Sequence, residues 1–250
     1  MDELIILYFF LTFVVLVQSI LGVGILVLGT PILLVFEFNI VEIMNMLLPI
    51  SILTSLLNVL IILNQKNVQK IELNTYQKKT FFLICVPSVF LGLLILKKFE
   101  SLINFNLIVS IIIILSILLK LYQKKIWLFL NNNFLLKIIM FFMGNIHGLT
   151  NSGGTLLVLF FTQSSKGKLD QNRYSVSFFY LFLALFQYLV FKLLFKNISI
   201  IEMNELIIIS IVIIGTTIGN LSLKYISENK IDKMITIISF VSALSLITKI

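Results

Sequence analysis

The sequence predicts an all-α integral membrane protein. It has eight hydrophobic helical segments in two repeated four-segment halves, the first segment of each half broken at a Gly-rich stretch. Three observations lead there. Of 250 residues, 59% are hydrophobic and 12% charged, with a mean hydropathy of +1.11, where a soluble domain carries roughly 45–50% and about 25%. Charge-free windows of about one bilayer crossing recur along the chain. Glycines and rare polar residues repeat between the halves at one fixed offset.

The composition leaves too little polar material to cover a water-facing surface, so lipid must be the solvent. That excludes a soluble enzyme, a nucleic-acid-binding module and a disordered tail. The net charge of +8 is spread over several loops, where lysines at span ends meet anionic headgroups and set orientation. Membrane lipids are thus the expected partners, and an inner cell membrane the expected location of this multi-pass chain. A single cysteine, Cys85, allows no internal disulfide and no Cys-based metal site. The acidic pair Asp2-Glu3 precedes a long uncharged run, which reads as a retained segment rather than a cleaved signal peptide.

The charge-free windows are Leu4–Phe36, Ile43–Gln65, Thr80–Leu96, Ser101–Leu119, Ile138–Ser165, Tyr174–Phe191, Leu206–Leu223 and Met234–Thr248. They do not alternate in polarity, so they read as helices rather than barrel strands. The first, at 33 residues, would make a straight helix of about 50 Å, too long for one crossing of about 30 Å and too short for two. The fifth has a similar excess. Both hold glycine clusters: Gly22, Gly24 and Gly29 before Pro31, then Gly144, Gly148, Gly153 and Gly154. Glycine and proline interrupt helices, and irregular backbone at membrane depth persists only where protein or a wet cavity surrounds it. Matched breaks of this kind point to a transporter's binding site.

An offset of 129 residues superposes the two clusters without a gap. It carries Gly24 to Gly153, Gly22 to Asn151, Gln18 to His147, Ser51 to Tyr180 and Asn58 to Gln187. The chain therefore divides into a first repeat, 1–121, a polar linker, 122–133, and a second repeat, 134–250. Whether the repeats run parallel or inverted depends on whether each long window crosses once or dips and returns.

Ser51, Thr54, Ser55 and Asn58 share one helical face, and Arg173, Ser177, Tyr180, Ala184 and Gln187 form the matching stripe. Such stripes either face each other across a cavity or glue helices together. His147, the sole histidine, sits beside the second cluster, to meet a solute or to tie the broken helix to a neighbour. Arg173, at a span end, reads as an attractor of anions at the mouth or as a headgroup anchor. No window contains an acidic residue, which argues against a carboxylate-relay cation pump. Neutral donors and broken-helix N-termini suit a small anion instead. The candidate binding residues are Gln18, Gly22, Gly24, Pro31, Asn58, His147, Asn151, Ser152, Gly153, Gly154, Tyr180 and Gln187.

The run Gln18-Ser-Ile-Leu-Gly22-Val-Gly24-Ile-Leu-Val-Leu-Gly29-Thr30-Pro31 resembles the first signature of the sulfite exporter TauE/SafE family. Gly144-Asn-Ile-His147-Gly148-Leu-Thr-Asn151-Ser-Gly153-Gly154-Thr155 resembles its second-repeat signature. Arg173, Tyr180 and Gln187 are similar to polar positions of one branch. The commoner first motif has three consecutive glycines, where this chain has Gly24-Ile25-Leu26. The resemblance spans nearly the whole chain and implies a secondary carrier of sulfite, organosulfonates or related small anions.

The alternatives are a channel or a non-transporting accessory subunit, and further off an intramembrane enzyme. The chain lacks H-E-x-x-H, G-x-S-x-G and an intramembrane Asp pair, so no catalytic residue, cofactor or metal is expected. Oligomeric state is left open.

Overall fold

A computed structural model describes residues 2–22, 25–64, 75–121, 133–154, 156–157, 169–196, 204–223, 225 and 228–249. Among these, every regular element is helical. The order is α1 (Asp2–Leu21), α2 (Ile25–Val35), α3 (Ile40–Leu63), α4 (Thr75–Leu102), α5 (Phe105–Leu121), α6 (Asn133–Thr150), α7 (Leu169–Leu194), α8 (Glu205–Ser222) and α9 (Glu228–Ile247).

Asparagine starts three of these helices, its short side chain accepting a backbone N–H that the first turn leaves unpaired. Asn39 Oδ1 accepts from Glu42 N (2.8 Å) while Asn39 N donates to Glu42 Oε2 (3.2 Å), a capping box. Asn104 and Asn204 accept from Leu107 N and Leu206 N in the same way. In α4 a π-helical turn covers Phe81–Cys85. Pro87 follows it and has no N–H for the Leu83 carbonyl, which loosens the ladder there.

Ile40–Leu63, Thr75–Leu102, Asn172–Leu194 and Glu205–Ser222 are long and apolar enough to cross a membrane. Leu4–Ile20, Phe105–Leu119 and Thr236–Ile247 are shorter apolar helices. The polarity is that of a protein dissolved in lipid. Phe9, Leu193 and Leu206 lie 70% or more exposed, while Gln18, Asn58, His147, Arg173 and Gln187 are 2% exposed or less.

The long first window is not one rod. α1 stops at Leu21, Gly22 takes a left-handed φ of +84, and α2 resumes at Ile25. The interruption is narrower than the glycine cluster, because α2 runs on through Gly29 and Pro31. In the fifth window Gly144 and Gly148 lie inside α6, which ends at Thr150. The left-handed residue there is Asn151, at φ +61.

Helices from the two sequence halves interleave: α1 packs on α8, α4 on α6 and α7, α3 on α7, and α5 on α9. Lipid tails are as apolar as leucine, so close backbone approach must replace the hydrophobic effect. Gly144 lies against Ser88 and the Cys85 carbonyl, and Gly148 against the Val89 carbonyl. Gly215 and Gly219 bring α8 onto Val15 and Ser19 of α1. At the surface Lys249 Nζ meets Glu37 Oε1 at 2.8 Å and donates to the Val35 carbonyl, tying the end of α9 to the loop after α2.

Candidate functional site

α1, α2 and α6 each end at a left-handed residue, Gly22, Glu37 and Asn151, and at α1 and α6 a last-turn carbonyl collects two donors. The Gln18 carbonyl accepts from Gly22 N at 2.7 Å and from Asn58 Nδ2 at 3.3 Å. The His147 carbonyl accepts from Asn151 N at 2.8 Å and from Gln187 Nε2 at 3.2 Å. Adding 129 to the first set of residue numbers yields the second set, donor by donor. Thr30 of α2 meets the second node, its Oγ1 accepting from Asn151 Nδ2 at 3.3 Å.

Around Gln18 most polar side chains bond to one another, while Ser177 Oγ, beside Gly22, has no hydrogen-bond partner among the described residues. Gln18 Nε2 donates to the Ser51 carbonyl (3.0 Å) and to Ser55 Oγ (2.9 Å), so these serines act as glue between α1 and α3. Thr54 returns its hydroxyl to the Ile50 carbonyl of its own helix. Asn58 Oδ1 accepts from Asn220 Nδ2 at 3.1 Å. Asn220 Oδ1 accepts from Arg173 Nη2 at 2.8 Å, and Arg173 Nη2 also donates to the Ser19 carbonyl at 2.7 Å. Arg173 is therefore neither a mouth residue nor a headgroup anchor. Its side chain turns inward because the Ser19 carbonyl and the Asn220 amide offer acceptors there, and it is 2% exposed.

Around His147 polar groups are left open. Both ring nitrogens, Nδ1 and Nε2, are buried with no hydrogen-bond partner among the described residues, as are Asn151 Oδ1 and Gln187 Oε1. A buried polar atom without a partner forfeits about 1–3 kcal/mol, and folded proteins leave few of them. The Tyr180 ring lies 5.9 Å from the His147 ring, centroid to centroid, and Met44 Sδ lies 3.9 Å from Gln187 Nε2.

Gly153 abuts His147, where an added Cβ would come within 2.6 Å of the imidazole's own Cβ. Ser152 is buried and bonded locally, its Oγ donating to the Thr150 carbonyl at 3.1 Å. Gly154 and Pro31 are buried in helical segments, and Gly24 lies outside the described residues. Sequence reasoning missed Ser19, Thr30, Met44 and Asn220. The repeat offers no clue to Asn220, since the offset pairs it with Leu91. A shallow groove of about 340 Å³ lies between α1 and α8, lined by Thr12, Leu206, Ile207, Ser210, Ile211 and Ile214. Thr12 and Ser210 spend their hydroxyls on carbonyls of their own helices. The groove suits a lipid tail, not an anion.

An all-helical bundle with an apolar exterior and polar groups folded inward is a membrane-embedded solute-handling protein by class. The chain belongs to the sulfite exporter TauE/SafE family, whose family model matches residues 7–246. That makes it a membrane transporter. No curated protein and no solved structure gives a match.

Proposed function

We propose that this transporter is a secondary carrier of a small anion, a sulfite, an organosulfonate or a related sulfur oxyanion, in the cell's inner membrane. The observation that supports the reading is the His147 imidazole, buried in the last turn of α6 just before the left-handed Asn151, with neither ring nitrogen partnered among the described residues. A neutral imidazole has one N–H to give an anion oxygen. His147, Asn151 and Gln187 are all fully buried, so a solute reaches them only when helices move. That is the requirement of a gated carrier rather than of an open pore.

The same reading takes residues 1–121 and 134–250 as two four-segment repeats related by a pseudo-two-fold axis, joined by 122–133. Its support is the paired carbonyl nodes and the left-handed residues Gly22 and Asn151, which the offset of 129 pairs. Gated movement then becomes rocking of one repeat against the other around the breaks.

The test is flux in liposomes holding the purified protein, with labelled sulfite and short alkanesulfonates as probes. Saturable uptake stimulated by internal unlabelled anion is expected. His147→Ala should cut the apparent affinity about ten- to a hundredfold, the worth of one hydrogen bond to a charged ligand at roughly 1.5–3 kcal/mol. Unchanged kinetics in that variant would remove the node from the transport path.

A further inference from the structure

The two carbonyl nodes are built alike and finished differently. The second leaves two amide oxygens, Gln187 Oε1 and Asn151 Oδ1, without a partner among the described residues, and Gln187 Oε1 has a closed counterpart in the first. A carbonyl only accepts, and an arginine only donates. These facts orient the amides without ambiguity. Asn58 must turn Nδ2 to the Gln18 carbonyl, leaving Oδ1 free to accept from Asn220 Nδ2. Asn220 must turn Oδ1 to Arg173. The acceptor of the first node is thereby closed. Gln187 must likewise turn Nε2 to the His147 carbonyl, so that its Oε1 faces elsewhere as an acceptor. Nothing closes it. The positions 129 residues before Arg173 and Asn220 are Met44 and Leu91, neither of which carries a donor.

An anion that bears only acceptor oxygens cannot satisfy Gln187 Oε1, and would meet it as a repulsive dipole. We infer that the species bound at this node brings its own hydrogen: an anion carrying an O–H or N–H, such as a protonated oxyanion or a hydroxyalkanesulfonate. Its charged oxygens take the imidazole N–H of His147, and its hydrogen goes to Gln187 Oε1. Sites that hold an unpaired acceptor discriminate sharply against ligands lacking the matching donor. This inference rests on the proposed anion-carrier reading and adds the chemical feature that selects among anions.

The probes are ethanesulfonate and 2-hydroxyethanesulfonate, which share the sulfonate and differ by one hydroxyl. Binding of both to the purified wild-type protein is measured by calorimetry. The hydroxylated compound should bind about tenfold or more tightly. In Gln187→Met, which installs at the second node the residue found at position 44, that preference should fall to about one. Equal binding to the wild-type protein overturns the inference while leaving the carrier reading intact, and so does a preference that survives in Gln187→Met. The wild-type comparison stands even if the variant fails to fold. If neither sulfonate binds and labelled sulfite shows no flux in liposomes, the carrier reading falls and takes this inference with it.

Discussion

Gly22→Ala and Asn151→Gly form a matched test of the idea that both helix ends require left-handed backbone. At Gly22, φ is +84 and a Cβ would sit 2.9 Å from the Arg173 carbonyl oxygen and 3.0 Å from Ser177 Oγ. The conformation alone costs an L-residue about 1–2 kcal/mol. The carbonyl belongs to α7 and cannot swing aside, so crowding adds about 1–3 kcal/mol. The sum is roughly 2–5 kcal/mol, and at about 2–4 °C per kcal/mol for a chain this long it lowers Tm by several degrees or more. Asn151 already occupies the left-handed region at φ +61. Asn151→Gly relieves its strain but deletes the amide that meets Thr30 and the open Oδ1. It should melt at or slightly above wild type while transporting poorly. Thermal unfolding in detergent followed by fluorescence, together with liposome flux, reads both quantities. A Gly22→Ala protein as stable as wild type would refute the backbone argument, and a strongly destabilised Asn151→Gly would refute its extension to the second half.

Gly148→Leu should prevent α6 from seating on α4, because even a Cβ overlaps the Val89 carbonyl; loss of the monodisperse peak in size-exclusion chromatography is the expected result. Lys249 holds the Glu37 carboxyl below the usual carboxylate range, through its hydrogen bond first and its charge second. A carboxyl with a depressed folded pKa stabilises above its unfolded value of about 4.3 and loses that contribution as pH falls through the folded value. Glu37→Gln should therefore lower Tm slightly at pH 7, and the gap should close in acid. A gap of the same size at both pH values would show that the contact is not ionic.

The sequence by itself determined the solvent and the class of fold, because a chain so poor in charge can satisfy its backbone in lipid only by making helices internally. It also singled out the two glycine-rich stretches, in which Gly22 and Asn151 take left-handed backbone. The offset of 129 residues pairs Gly22 with Asn151, and it also pairs Gln18 with His147 and Asn58 with Gln187. The family signature lies on the same residues. Tertiary structure decided what those side chains do. Nothing local to Arg173 separates a headgroup anchor from an inward donor; the choice depends on an acceptor at Ser19, 154 residues away, and on Asn220, whose repeat partner is apolar. Ser51 and Ser55 became glue because Gln18 is long enough to reach them. His147, placed equivalently, has no such reach, and its imidazole stays open. Hydrogen-bond closure depends on distances between helices far apart in the chain, and a pattern of residue types does not contain them.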